Sequence, residues 1–300
     1  MKLKLEGIWT PMVTPLNGDG EVDLKGTRVL VDLLIESGVD GLFPLGTTGE
    51  FALLTPSERN QIVRTVVDEA NGRLQVIAGI SDPSTGNVLK LASDAKDAGV
   101  DGVITTTPFY FSSTQEGIYR HFKLLAGKIE LPLILYNIPE WTHTFASPEV
   151  VGRLAREGLI AGLKYTEYNF LRLLEFIVAV EGRIPVLNGS DAMTYTNLEF
   201  GGAGAVMGVS NLAPRISAGI YDEFRRGNLE KAKELQMELL PYLEAMGVGI
   251  FPAGLKEAMN LAGIKVGGTR DPVPPLSPEE KKAVKGFLAR AGALRKGSSN

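Results

Sequence analysis

The run Gly99-Val100-Asp101-Gly102-Val103-Ile104-Thr105-Thr106 stops one element and starts the next. A glycine at Gly99 can take the left-handed conformation that closes a helix, and the β-branched residues from Gly102 to Thr106 have the composition of a strand. The same phrase, Gly-Val-Asp-Gly, recurs at Gly38–Gly41 ahead of Gly41–Leu45. Working outward, short apolar runs bounded by glycine, proline or polar residues predict strands at Gly7–Val13, Gly41–Leu45, Leu74–Ala78, Gly102–Thr106, Leu133–Asn137, Ala161–Lys164, Pro185–Leu187 and Ala205–Gly208. Their starts lie about 20 to 34 residues apart, the length of one βα unit.

Between the strands the apolar residues follow the helical period, as in Val29, Leu30, Leu33 and Leu34, or Ile62, Val63, Val66 and Val67. Thr55-Pro56-Ser57-Glu58 and Ser147-Pro148-Glu149 each place a capping hydroxyl and a proline at a helix start. Eight such units with no change of composition predict a (β/α)8 TIM barrel over residues 1–226. The alternative, a doubly wound open sheet, calls for a Gly-x-Gly-x-x-Gly turn after the first strand, and Met12–Gly18 has none. Residues 227–300 read as a helical extension packed on the barrel: a long helix over Asn228–Met246, others over Pro252–Leu261 and Pro278–Ala293, and a linker over Gly267–Pro275.

Composition narrows the function. The 300 residues include no cysteine, which excludes disulfides and thiol chemistry and suits a reducing cytoplasm. His121 and His143 are the only histidines, so no multi-histidine metal site is expected. A formal net charge of −4 offers no field for nucleic acid. The N-terminus lacks the apolar core of a signal peptide, and no stretch approaches the ~20 apolar residues that span a bilayer. A cytoplasmic, soluble protein with no membrane partner is the expectation. Glycine is enriched, at 35 residues, as many tight strand-to-helix turns require.

Barrel sites lie at the C-terminal ends of the strands, and four polar features fall there. Lys164 stands within the apolar run Ile160-Ala161-Gly162-Leu163-Lys164-Tyr165-Thr166. Burial of a lysine favours the neutral amine, the form that attacks a carbonyl to give a Schiff base; snorkelling to solvent or pairing with Glu167 is the other reading. Tyr136 emerges one strand earlier, where its hydroxyl could shuttle a proton or simply sit half-buried. Gly46-Thr47-Thr48-Gly49-Glu50 follows the second strand. Its glycines and hydroxyls could converge on a carboxylate, or could form an ordinary turn that caps the next helix. Thr107-Pro108-Phe109-Tyr110-Phe111 exposes aromatics that mark a pocket, an interface or plain loop packing.

Lesser features complete the survey. His143 is a loop histidine with a minor claim as a catalytic acid, and His121 reads as structural. Gly201-Gly202-Ala203-Gly204 resembles a barrel phosphate turn, which close packing explains equally well. Asp101 precedes its strand and so falls at the wrong end of the barrel.

Together the four motifs resemble the dihydrodipicolinate synthase / N-acetylneuraminate lyase family of pyruvate-dependent class I aldolases. Gly46–Glu50 is similar to that family's GTTGE, Tyr136–Pro139 to its YNxP, and Gly162–Lys164 to its lysine strand. Gln115-Glu116-Gly117 with His121-Phe122 matches the helix after its tyrosine loop, and the likeness runs over about residues 7 to 295. The resemblance implies that Lys164 forms an imine with a 2-keto acid and that Tyr136 is its general acid/base. It implies that Thr47 and Thr48, on the turn begun by Gly46, hold the carboxylate, and that Thr47 links Tyr136 to a Tyr110 contributed by a neighbouring subunit. A homotetramer of tight dimers follows, with no metal or organic cofactor.

Synthases of this family carry an arginine two residues after the YNxP proline to bind the aldehyde's carboxylate; here that residue is Trp141, with one N–H and no charge. Thr166, and Gly189-Ser190-Asp191 after the seventh strand, are similar to the 2-keto-3-deoxygluconate aldolases, with Val206 at the end of the eighth strand as a further wall. Tyr165, where those aldolases often have aspartate, departs from them. Cleavage of a 2-keto-3-deoxy sugar acid to pyruvate and an aldehyde such as glyceraldehyde is the favoured expectation. Dihydrodipicolinate synthase, sialic acid lyase, hydroxy-oxoglutarate aldolase and keto-deoxy-sugar dehydratase activities are the alternatives within the family. Outside it stand a catalytically inert keto-acid sensor and a phosphate-binding barrel.

Overall fold

Alternation along short strands sorts side chains into two cores, and this sorting sets the architecture of the computed structural model, which describes residues 3–295. The strands are β1 (Gly7–Pro11), β2 (Gly41–Phe43), β3 (Gln75–Gly79), β4 (Gly102–Thr106), β5 (Leu133–Asn137), β6 (Gly162–Tyr165), β7 (Val186–Asn188) and β8 (Gly204–Val206). All neighbours are parallel, and β8 pairs back onto β1 to close the barrel. Trp9, Phe43, Ile77, Ile104, Ile134, Tyr136, Leu187 and Val206 fill the lumen, while their chain neighbours, such as Leu133, Leu135, Leu163 and Tyr165, pack outward under the helices. The (β/α)8 barrel expected from the spacing is the fold observed.

The expected strand boundaries hold to within about two residues, and the departures have local causes. β2 stops at Phe43 because Leu45 takes a φ of +63°, which no strand continues. β8 ends at Val206, and Gly208 opens a short helical turn, Gly208–Asn211. Gly99 does close its helix, at a φ of +86°. The Pro56–Ala70 helix has a reciprocal capping box between Thr55 and Glu58, and Ser147 caps Pro148–Arg156. The first helix corrects one expectation: Leu24–Glu36 buries Thr27, Leu30, Val31 and Leu34, whereas Val29 is exposed.

The single helix expected over Asn228–Met246 is two, Leu229–Glu238 and Leu240–Met246. Pro241 has no N–H to continue the ladder and crowds the preceding turn. Ala253–Ala262 and Pro278–Arg290 complete the extension, whose expected end at residue 300 lies outside the described residues. The extension is fastened to the catalytic face of the barrel: Leu16 N–H donates to the Val266 carbonyl at 3.0 Å, and Lys256 pairs with Glu50. Among the described residues no helix is long and apolar enough to cross a membrane.

Candidate active site

Tyr136 and Lys164 are direct register partners across β5 and β6. Both sit near the C-terminal ends of their strands and both face the lumen, by the alternation that buries Leu163 and Tyr165 on the other side. Lys164 is 4% exposed. Among the described residues no hydrogen bond or ion pair engages its Nζ, which instead lies 3.8 Å from the Tyr136 ring centroid and 5.2 Å from that of Phe43. Pairing with Glu167 is thereby set aside, since the Glu167 carboxylate accepts from the Tyr165 hydroxyl on the barrel's outer side. An amine held among ring faces and apolar walls is available for covalent chemistry.

The Tyr136 hydroxyl meets Thr47 Oγ1 at 3.4 Å, a long contact of the kind that tightens when a substrate arrives. Thr47 and Thr48 form the short helical turn Thr47–Gly49 after β2. Gly46 begins that turn with the Phe43 ring 2.9 Å from where a Cβ would stand, so a larger residue would have to push that ring aside. Together with Tyr136, Lys164, Thr166, Gly189, Ser190, Asp191, Trp141 and Val206, these two threonines line one cleft of about 330 Å³.

Gly189 has a specific steric role. A Cβ there would collide with Thr166 Oγ1 and stand 2.9 Å from Lys164 Cε. The missing side chain is what lets the turn after β7 lie against Lys164. Thr166 Oγ1 is buried with no hydrogen-bond partner among the described residues, a cost of roughly 1–3 kcal/mol that a substrate hydroxyl could relieve.

Asp191 is buried and lines the same cleft, yet its oxygens already accept the backbone N–H groups of Gly208 at 2.9 Å and Val209 at 3.1 Å. Burial pushes its carboxyl up to about 7, against the opposing pull of those N–H groups and of Lys164. It therefore braces the turn after β8 beside the lysine.

The remaining candidates separate. Tyr110 stands 85% exposed with a φ of +72°, its ring edge-on to an exposed Phe111, and does not line this chain's own cleft. His143 is exposed at the end of the Pro139–Thr142 turn. His121 is held below its usual range, to about 4, by burial, with Nδ1 3.1 Å from Thr85 Oγ1; it is a packing residue. The Gly201–Gly204 turn precedes β8, at the barrel's far end, and Gly202 and Gly204 are crowded by Asn197 and Gly7. Close packing accounts for it. Among the described residues no three His, Asp or Glu groups gather as a metal site.

Several wall residues escaped the sequence reading. Glu140 comes from the Pro139–Thr142 turn and Tyr168 from the loop after β6, while Met246, Gly247 and Phe251 come from the extension. Asn137 and Asn188 brace the loops after β5 and β7 by bonds to Ala146 and Ser190; an asparagine closing each strand was the available signal. Next to the cleft, and sharing Thr47, Ile138, Trp141 and Phe251 with it, lies a mostly apolar chamber of about 220 Å³.

A closed parallel barrel with an unpaired lysine beside a tyrosine at its strand ends has the build of a class I aldolase. The dihydrodipicolinate synthetase family model matches residues 4–291. The chain is 36% identical to a 4-hydroxy-tetrahydrodipicolinate synthase of Methanococcus maripaludis, covering 97% of this chain and 100% of that protein. It superposes on the chloride-inhibited dihydrodipicolinate synthase of Acinetobacter baumannii complexed with pyruvate, with a TM-score of 0.94 and 31% identity over 97% of this chain and 100% of the other. It is similar too to YagE, a dihydrodipicolinic acid synthase family protein of E. coli K12 in complex with pyruvate: TM-score 0.92, 31% identity, and the same coverage of both chains. The chain belongs to the dihydrodipicolinate synthetase family. It is an enzyme, a carbon–carbon lyase of the pyruvate-dependent aldolase class.

Proposed function

We propose that this enzyme cleaves, and in reverse forms, a 2-keto-3-deoxy sugar acid, exchanging it with pyruvate and an aldehyde such as glyceraldehyde. The observation that carries this reading is the character of the cleft wall. Lys164 is the only lysine or arginine among its described lining residues, while Thr166 and Ser190 supply hydroxyls and Glu140 a carboxylate. Trp141, half exposed, stands where a carboxylated aldehyde would need a guanidinium. A neutral polyol suits such a wall, at about 1 kcal/mol per hydrogen bond made.

In this reading Lys164 Nζ adds to the C2 carbonyl and water leaves, forming the imine. Tyr136 takes the proton from the C4 hydroxyl as that oxygen becomes the aldehyde carbonyl, and the electron pair of the broken C3–C4 bond flows to the imine nitrogen. The enamine regains a proton at C3, and water hydrolyses the imine to release pyruvate. Thr48 and the Gly46–Thr47 backbone hold the carboxylate, and Val206 and Gly189 shape the floor. The imine nitrogen is the electron sink, so the cycle calls on no metal or organic cofactor.

Thr47 carries protons between Tyr136 and Tyr110 of a partner subunit. The exposure and left-handed backbone of Tyr110 support that placement, because a non-glycine held at positive φ on a surface gains from a partner that uses it. A homotetramer of tight dimers is the assembly this relay calls for. Barrel (residues 1–226) and extension (227–300) then act as one unit, since Met246 and Phe251 close the cleft.

The names of the curated relatives favour a second reading, dihydrodipicolinate synthase activity. Competing glyceraldehyde and a carboxylated aldehyde for pyruvate condensation decides between them. A higher kcat/KM for glyceraldehyde supports the sugar-acid reading, and preference for the carboxylated aldehyde replaces it with the synthase.

A further inference from the structure

A buried ion pair ends the loop that carries Thr47 and Thr48. Lys256, on the Ala253–Ala262 helix of the extension, donates from Nζ to Glu50 Oε1 at 2.6 Å, with side chains 1% and 3% exposed. The same Nζ donates to the Gly268 carbonyl at 2.6 Å, and Glu50 Oε2 accepts the Arg270 backbone N–H at 2.8 Å. The Arg270 guanidinium continues to Glu58 and to the Gly20 carbonyl, each at 2.6 Å. One carboxylate thus collects a helix and a strap of the extension, and the strap reaches on to the first loop and to the helix after the threonine turn.

Glu50 needs this hold. Its φ of +56° is left-handed, a conformation a non-glycine residue keeps only when its surroundings over-determine it. Stability is a weak reason for such a pair, because apolar residues of similar size commonly serve as well as two buried charges. Direction is the better reason. The Glu50 N–H returns to the Thr47 carbonyl at 3.0 Å, so the orientation of Glu50 is transmitted to the turn whose hydroxyls line the cleft. Burial holds the Lys256 ammonium below the usual lysine range, with Glu50 opposing.

We propose that Glu50 and Lys256 are positioning residues for the keto acid's carboxylate: the extension, through this pair, sets the angle of the Thr47–Thr48 turn and thereby the affinity for pyruvate. The inference rests on the reading that this turn binds the carboxylate. Removing either charge should raise the half-saturating pyruvate concentration for imine formation at Lys164 on β6, and aldol turnover should fall as well, because the same turn holds Thr47 Oγ1 against the Tyr136 hydroxyl.

The test is the initial rate of borohydride trapping of pyruvate on the full chain, measured against pyruvate concentration. Lys256→Met and Glu50→Gln should each raise the half-saturating concentration about tenfold or more with the maximal rate kept within about threefold, and the double variant should do little worse than either single one. Leu288→Ala, which empties a buried position elsewhere in the extension, should lower Tm and leave half-saturation unchanged. Unchanged half-saturation in the folded variants, or an equal shift in Leu288→Ala, overturns the proposal. Should Lys256→Met not fold, Glu50→Gln, which keeps shape and an acceptor, carries the test. No trapping in the wild type at any pyruvate concentration overturns the Schiff-base reading itself, a result distinct from trapping with unshifted half-saturation.

Discussion

The Lys164 Nζ rests over the face of Tyr136, its register partner on the adjacent strand, 3.8 Å from the ring centroid. The pair is a consequence of strand alternation: two residues at matched heights on neighbouring parallel strands point into the same lumen and must touch. The tyrosine's negative π-face can steady an ammonium when one is present. Its hydroxyl, directed at Thr47, is left free for proton transfer.

Removing the amine should abolish chemistry without harming the fold. Lys164→Met replaces a buried, unpaired polar head by an apolar chain of similar volume. Activity should fall by a factor on the order of 10⁴ or more, while Tm stays level or rises by about 2 °C. Steady-state kinetics beside thermal unfolding checks both halves. A large fall in Tm would show that Lys164 has a structural partner after all.

Tyr136→Phe keeps the ring under the amine and removes only the hydroxyl. Aldol turnover should drop by roughly 10²–10⁴, with pyruvate still trapped on Lys164 by borohydride. Comparing trapping with turnover separates the two roles.

Gly189→Ala should injure the site more than its one added methyl suggests. The new Cβ displaces Thr166 and the Lys164 stem, an overpacking cost of about 1–3 kcal/mol. We expect kcat to fall at least about tenfold in a protein that still folds, as circular dichroism and kinetics together will show.

Asp191 makes a pH-dependent contribution of definite sign. Its folded-state carboxyl is raised to about 7 from 3.8, chiefly by burial, so the folded chain holds a proton that the unfolded chain has lost. Its contribution is complete below about pH 4 and is lost as pH rises through 7. Wild-type stability should therefore decline between pH 4 and 7 relative to Asp191→Asn, and run parallel to it above pH 8. Urea unfolding across that range is the check; parallel curves throughout would contradict the assignment.

Trp141→Arg restores a guanidinium at the cleft mouth. The variant should gain at least about tenfold in kcat/KM for a carboxylated aldehyde and lose on glyceraldehyde, worth roughly 1.4 kcal/mol of redirected binding.

What the sequence disclosed, and what it withheld, follows from range. Strands, caps and the Gly99 helix stop are local, and their signals lie within a few residues of one another. Lys164, Tyr136 and the Thr47–Thr48 turn were visible because each is a polar residue at the end of an apolar run. The break at Pro241 is equally local, since a proline carries its own helix stop. The Lys256–Glu50 pair spans 206 residues, and nothing near either residue announces the other. Asp191 looked like a substrate ligand because its sequence neighbours could not show that the Gly208 and Val209 amides already occupy it. Val29 is apolar, but its angle on the helix turns it to solvent while Thr27 takes an inward position.

The most direct measurement is borohydride reduction of the protein with pyruvate, followed by digestion and mass spectrometry of the peptides. The account predicts one reduced pyruvyl adduct, on the peptide containing Lys164, and none in Lys164→Met. Modification of a different lysine, or of none, would contradict it.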